Sequence, residues 1–279
     1  MTDTHAHLDH EAFDSDRDEM IQRTFDNGIK KIVTIGCDEK EISQAIELAE
    51  KYENIYAAVG FHPENCKTNN CGSDSQIARV AEKLKTFAKH LKVVAIGEIG
   101  LDYFYSNDEE IKSTQKELFI AQLKLARELG LPVIIHCRAS KDNPSDAYDD
   151  LLEMLKNYGG KDLSRCMTGI KGVIHCFCGT REHAKQFLDL GLHISFTGNI
   201  TYFKKDSAEV LQAVREIPLN KILIETDCPF LSPIPHREKR NEPMFVKYVA
   251  EKIAEIKEIS VDEVERMTDK NAEKLFRLS

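Results

Sequence analysis

His5 and His7 are separated by one residue, and Glu98, His136, His175 and Asp227 follow at wide intervals, each just after a mostly apolar run. Imidazoles and carboxylates together, without an obvious thiolate cluster, form a donor set for zinc, manganese, magnesium or another first-row divalent ion. On a strand the i, i+2 spacing turns His5 and His7 to one face, which suits a shared metal. Six candidate ligands exceed the three that one catalytic zinc commonly uses while leaving a position for water. Two divalent ions are therefore expected, with Glu98 bridging them through its two oxygens and with water activation as their chemistry. Glu225 lies two residues before Asp227 and shares its direction. A carboxylate there serves either as a general base or as an orienting partner for a ligand histidine, and the orienting role is favoured. Asp227 is expected to combine ligation with proton transfer, so Glu98, Asp227 and Glu225 are the candidate catalytic carboxylates.

Other polar residues stand where a substrate would approach. His62 ends the run Gly60-Phe61-His62-Pro63 with only Ala58 and Gly60 beneath it on the same face, which leaves space. Arg138 follows His136 by two residues and presents a planar guanidinium suited to phosphate oxygens. Arg237, Lys239 and Arg240 occupy a proline-rich segment, 229–243, where they either hold a substrate backbone or form a solvated basic loop. Lys204 and Lys205 carry the same two readings. His10, His90, His183 and His193 lack a comparable setting and are expected to be structural or solvent-facing.

Eight strand candidates position these groups: Thr2 to His7, followed by apolar runs at Ile32 to Cys37, Ile55 to Phe61, Val93 to Ile99, Pro132 to Cys137, Gly172 to Phe177, His193 to Thr197 and Ile222 to Thr226. Between them lie segments of helical spacing, such as Ile42, Ala45, Ile46, Ala49 and Leu118, Ala121, Leu125, Ala126, Leu129. Parallel strands need crossover helices, and eight such units close into a (β/α)8 barrel with its active site at the carboxyl ends of the strands. Gly130, Gly159-Gly160 and Gly191 mark helix stops, and Ser260 is the expected N-cap of a closing helix over Val261 to Phe276. The segment Asn65 to Ser75 is expected to form an extended loop on the functional face, whereas Tyr158 to Lys171 belongs to the opposite one.

Length, composition and charge bound the rest. The 279 residues suit one barrel domain spanning 1–279, and 42 % hydrophobic with 30 % charged residues suits a chain wrapped in amphipathic helices. No run approaches the roughly 18 apolar residues of a membrane span, and no secretory signal is visible, so a cytoplasmic protein is expected. The eight cysteines form no compact framework and read as reduced, mostly buried thiols. Strand alternation would turn Cys176 and Cys178 away from the face of His175. A net charge of −9 argues against coating long duplex, although bound cations can attract a chain end to an acidic molecule.

Seven motifs bring these residues together: Asp3-Thr4-His5-Ala6-His7-Leu8-Asp9, Gly60-Phe61-His62-Pro63, Gly97-Glu98-Ile99-Gly100-Leu101-Asp102-Tyr103, His136-Cys137-Arg138, His175-Cys176-Phe177, Glu225-Thr226-Asp227-Cys228-Pro229, and the segment from Pro235 to Pro243. In them the chain resembles the TatD-related metal-dependent deoxyribonuclease family of amidohydrolase-like barrels, nearly end to end. The resemblance implies metal ligation by His5, His7, Glu98, His136, His175 and Asp227. It also implies hydrolysis of DNA phosphodiester bonds from the 3′ end of single strands or chain ends, with substrate contacts at His62 and Arg138. Glu64 and Asn65 stand where many relatives carry a second histidine after the His-Pro pair, and Cys228 replaces a small residue. DNA is the expected partner, with no membrane and no obligate protein partner evident. Two other hydrolytic readings share such a site: a cyclic amidohydrolase and an aminoacyl-tRNA deacylase. Glu98, in the place where amide hydrolases often carry a carboxylated lysine, favours the nuclease, and a non-catalytic binding protein would not require six ligands.

Overall fold

The computed structural model describes residues 1–66, 73–105, 108–158, 171–203 and 208–279. Eight strands recur along the chain: β1 (Thr2–Ala6), β2 (Lys31–Gly36), β3 (Ile55–Val59), β4 (Val93–Asp102), β5 (Val133–Arg138), β6 (Gly172–Ile174), β7 (His193–Phe196) and β8 (Ile222–Ile224). They pair side by side in chain order, each parallel to the next. The helices that return the chain are α1 (Arg17–Asp26), α2 (Glu39–Lys51), α3 (Asp74–Phe87), α4 (Glu109–Leu129), α5 (Asp146–Asn157), α6 (Arg181–Asp189), α7 (Glu209–Glu216) and α8 (Val246–Lys257). A further helix, α9 (Val261–Phe276), follows, and the Ser260 side chain caps it by accepting from Glu263 N. This is the expected (β/α)8 barrel with the expected closing helix.

Alternation along the strands sorts side chains into two layers. Ile32, Ala57, Val59, Val133, Ile135, Ile222 and Ile224 point outward into the core beneath the helices. Val33, Ile35, Ala58, Ile134, Val173 and Leu223 point inward and fill the barrel. Ala272, Leu275, Phe276 and Leu278 join this inner core from the C-terminal segment, and Tyr56 near the amino end of β3 hydrogen-bonds Ser279 O at 2.7 Å. The last helix therefore plugs the amino end of the barrel, leaving the carboxyl end for chemistry.

β1 and β8 meet at a parallel bridge between Ala6 and Cys228. Asp227 N donates to His5 O and His7 N to Cys228 O, both at 2.9 Å, so closure takes place at the level of the candidate ligands. Strand lengths differ from the apolar runs. β4 extends three residues past Ile99, whereas β6 and β8 stop at Ile174 and Ile224, just short of His175 and Glu225. The reason lies in the backbone: Cys176 and Asp227 take positive φ values of 45° and 57°, which a strand does not allow.

Two glycines let strands approach closely at this level. A Cβ on Gly60 would lie 2.7 Å from the Gly97 carbonyl carbon, and one on Gly100, at φ 150°, would lie 1.9 Å from His136 O. Both flank Glu98, which is carried between β3 and β5. Of the expected functional-face loop, 67–72 lies outside the described residues, as do Lys204, Lys205 and most of the 158–171 segment. No helix among the described residues is long and apolar enough to cross a membrane.

Candidate metal centre

The six predicted ligands converge from five strands on the carboxyl end of the barrel. His5 and His7 arrive from β1 and the residue beyond it, Glu98 from β4, His136 from β5, and His175 and Asp227 from just past β6 and β8. His5 Nε2 lies 3.3 Å from His7 Nε2, 3.3 Å from Glu98 Oε2 and 3.5 Å from Asp227 Oδ1. His7 Nε2 lies 3.4 Å from Asp227 Oδ1 and 4.0 Å from Glu98 Oε2. Donors held about 2.1 Å from a common tetrahedral centre stand about 3.4 Å apart, so His5, His7, Asp227 and Glu98 fit one divalent ion. The second carboxylate oxygen of Glu98 faces another group: His136 Nδ1 at 2.5 Å, His175 Nε2 at 3.6 Å and His62 Nε2 at 3.6 Å. Glu98 thus divides its two oxygens between two sets of imidazoles, the disposition required of a bridging ligand.

The electrostatics follow from this crowding. Burial opposes ionisation of Glu98, but the imidazoles of His175, His5 and His136 outweigh it and hold the carboxyl well below its ordinary range. Burial likewise disfavours a charge on His7, yet the hydrogen bond and charge of Asp227, with Glu98, raise it to about 9. His136 rises to about 9 in spite of burial through Glu98 and Asp102, and His175 to about 10 through Glu225 and Glu98. For His62 burial and the neighbouring His136 outweigh the charges of Glu98 and Asp102 and lower it to about 3. Histidines held protonated among carboxylates are ligands waiting to exchange protons for a cation.

A second tier of carboxylates orients the histidines. Glu225, buried, sits 2.7 Å from His175 Nδ1 and accepts from Cys176 N at 2.7 Å. One oxygen meets both His175 and Cys176, and the other lies 3.5 Å from Thr4 Oγ1, an arrangement suited to orienting the histidine. Asp102 does the same for His136, 2.9 Å from Nε2, and accepts from Phe104 N at 2.9 Å. Asp3 ties β1 to the residues after β8 by accepting from Thr226 N at 2.9 Å and Thr226 Oγ1 at 2.5 Å. Sequence reasoning gave Asp102 and Asp3 no role although both stand in the quoted motifs. The even spacing from Glu98 to Asp102, and from Asp3 to His5 and His7, was the available signal.

His62, the expected substrate contact, lies beside Glu98 and His136. The rim departs from expectation in two places. Cys176 is not turned away from the site: the strand ends before it, and its thiol lies in a group with His175 and Asp227. Arg240 is engaged by Asp16 through both amino groups, at 2.7 and 2.8 Å, and by Glu242 at 3.0 Å, so it holds the last loop to the region of α1. By contrast Arg138 and Arg237 are exposed, with guanidinium carbons 3.7 Å above the Phe104 ring and 3.8 Å above the Tyr202 ring. Lys239 is exposed. His183 caps α6 together with Thr180, His90 pairs with Glu50 at 2.8 Å, and His10 caps the short turn at Glu11–Phe13.

Three comparisons bear on this geometry. The family described as TatD related DNase matches residues 2–277. The chain is 42 % identical over 279 residues to the uncharacterised metal-dependent hydrolase YabD of Bacillus subtilis, covering 100 % of both chains. It is 32 % identical over 280 residues to the 3′-5′ ssDNA/RNA exonuclease TatD of Cronobacter sakazakii, covering 99 % of this chain and 97 % of the other. Among solved structures, the TatD homologue YJJV of Escherichia coli superposes with a TM-score of 0.83 at 31 % identity, over 100 % of this chain and 98 % of that one.

Proposed function

This chain belongs to the TatD related DNase family of metal-dependent hydrolases, and on that premise we propose that it is a deoxyribonuclease working in the cytoplasm from the 3′ ends of single strands or frayed duplexes. The observation that carries the reading is Glu98, whose two oxygens face two separate groups of imidazoles. His5, His7, Asp227 and Glu98 would hold one divalent ion, and Glu98, His136 and His175 the other. Such ions, when bound, polarise a phosphoryl oxygen and lower the pKa of a coordinated water.

The chain's own groups then act as follows. The Glu225 carboxylate, 2.7 Å from His175 Nδ1, orients that ring, and Asp102 holds His136 from Nε2. Asp227, 15 % exposed and open to the mouth, takes the proton from the attacking water as well as serving as a ligand. His62 steers the scissile phosphate from the inner wall. Arg138, Arg237 and Lys239 contact the strand backbone, while Arg240 keeps the loop in place.

A substrate panel tests the reading. Protein reconstituted with magnesium, manganese or zinc is given a 5′-labelled single strand, a cyclic amide and an aminoacyl-tRNA. Progressive shortening of the DNA, with the other two unchanged, is expected. Turnover of the amide or the aminoacyl ester without DNA cleavage would replace the nuclease reading.

A further inference from the structure

Large hydrophobic side chains that stay exposed are not spread evenly over this molecule. Tyr105 is 65 % exposed, Phe230 50 % and Phe203 40 %, and all three lie in loops leaving the carboxyl ends of β4, β8 and β7. Ile234 is in the same loop as Phe230, and among the described residues only Leu91 lies on the opposite side, before β4. Single exposed apolar residues need no explanation, but a set gathered at the mouth of a metal centre does.

The group after β4 is the most developed. Phe104 and Tyr105 stand edge to face with centroids 5.0 Å apart. The Arg138 guanidinium covers the Phe104 ring at 3.7 Å, lies 5.1 Å from the Tyr105 centroid, and donates to the Tyr105 hydroxyl at 3.4 Å. Lys141 Nζ stands 4.6 Å over Phe104. Among the described residues no carboxylate lies within 4 Å of Arg138, whereas Arg23 and Arg240 are both neutralised by Asp16 and Glu242. The patch is also fixed to the metal centre: Asp102 accepts from Phe104 N through one oxygen and meets His136 Nε2 with the other, each at 2.9 Å. One carboxylate therefore separates a ligand from the aromatic pair.

We propose that Tyr105, with the Phe104 and Arg138 stack behind it, is a nucleobase subsite that holds one unpaired base of the substrate beside the metal centre. This inference rests on the nuclease reading and adds a specificity-determining residue to it. A π face backed by two cations that have no carboxylate within 4 Å among the described residues has the chemistry used by proteins that bind single strands, in which bases stack on aromatic rings and arginine planes while cations attend the backbone. A base inside a duplex has both faces covered by its stacked neighbours and cannot take this position. The subsite thus selects chain ends and single strands in a protein whose net charge of −9 offers little general attraction to nucleic acid.

The test compares a 5′-labelled hexadeoxynucleotide with the same strand made abasic at its two 3′-terminal positions, using metal-loaded protein, Tyr105→Ala and Tyr105→Phe. For the natural chain, kcat/KM on the base-bearing strand should exceed that on the abasic strand by about tenfold, carried by KM. Tyr105→Ala should reduce this ratio to about one, and Tyr105→Phe, which keeps the ring, should retain it. Equal cleavage of both strands by the natural chain, or an unaltered ratio in Tyr105→Ala, would overturn the subsite and leave the nuclease reading standing. Failure of the natural chain to cleave either strand would overturn the nuclease reading, and the subsite with it.

Discussion

Asp102 and Glu225 hold histidines from behind, and their substitution distinguishes orientation from mere folding. Asp102→Asn or Glu225→Gln should weaken divalent metal affinity by about 10- to 100-fold, measured by chelator competition, while leaving the thermal midpoint of the metal-free protein close to that of the natural chain. Equal metal affinity in the variants would reduce both carboxylates to packing. The raised histidines give a second prediction. His7 and His136, at about 9, and His175, at about 10, carry protons at pH 7 that a cation must displace. Metal affinity should therefore climb with pH up to 9 to 10 and fall in acid, with proton release visible as a buffer-dependent heat in calorimetry. A flat profile between pH 6 and 9 would contradict the protonated resting state. At this scale the convergence of the candidate ligands was legible, because Glu98, His136, His175 and Asp227 each follow a mostly apolar run and His5 and His7 share the i, i+2 spacing of one strand face. Cys176 and Asp102 were not: a positive φ cancels strand alternation at the first, and the second lies on the extension of β4 through Gly100 and Leu101, past the end of the run read from the sequence.

The strands and helices explain why the ligands meet at one end. Alternation on β2, β3, β5 and β8 separates an inner from an outer core, and α9 closes the inner one with Leu275 and Phe276. Phe276→Ala should cost about 3–5 kcal/mol of unfolding free energy by denaturant titration, because a buried ring leaves a cavity that the barrel wall cannot collapse into. Metal affinity, set at the opposite end, should be unchanged. A loss of metal binding at unaltered stability would mean that α9 does not plug the barrel. The periodic segments made the eightfold alternation and the helix over Val261 to Phe276 readable in the sequence, whereas the ends of β6 and β8 were not. Those strands stop early because the chain turns at Cys176 and Asp227 to aim ligands inward, a tertiary demand that local hydrophobicity does not encode.

The whole molecule combines an acidic surface with a local cationic and aromatic rim. Its net charge of −9 predicts that single-strand binding draws on only a few phosphate contacts. With Arg138, Arg237 and Lys239 as the contributing cations, log K should fall against log salt with a slope of about −2, near 0.7 for each phosphate neutralised. A slope several times steeper would point to an extensive basic tract that this surface does not provide. Composition had indicated a chain unsuited to coating duplex, but only the fold places Tyr105, Phe230 and Arg138 around one opening. If divalent metal at the convergence of His5, His7, Glu98, His136, His175 and Asp227 cleaves DNA phosphodiester bonds, titration of metal-stripped protein with a divalent ion, with a 5′-labelled single strand followed on a sequencing gel, reads that cleavage directly. No cleavage is expected without metal, then a ladder shortening from the 3′ end as metal is restored, and loss of that ladder in Glu98→Ala. Cleavage that persists without metal, or metal saturation of this site with an intact strand, would contradict metal-dependent cleavage at this site.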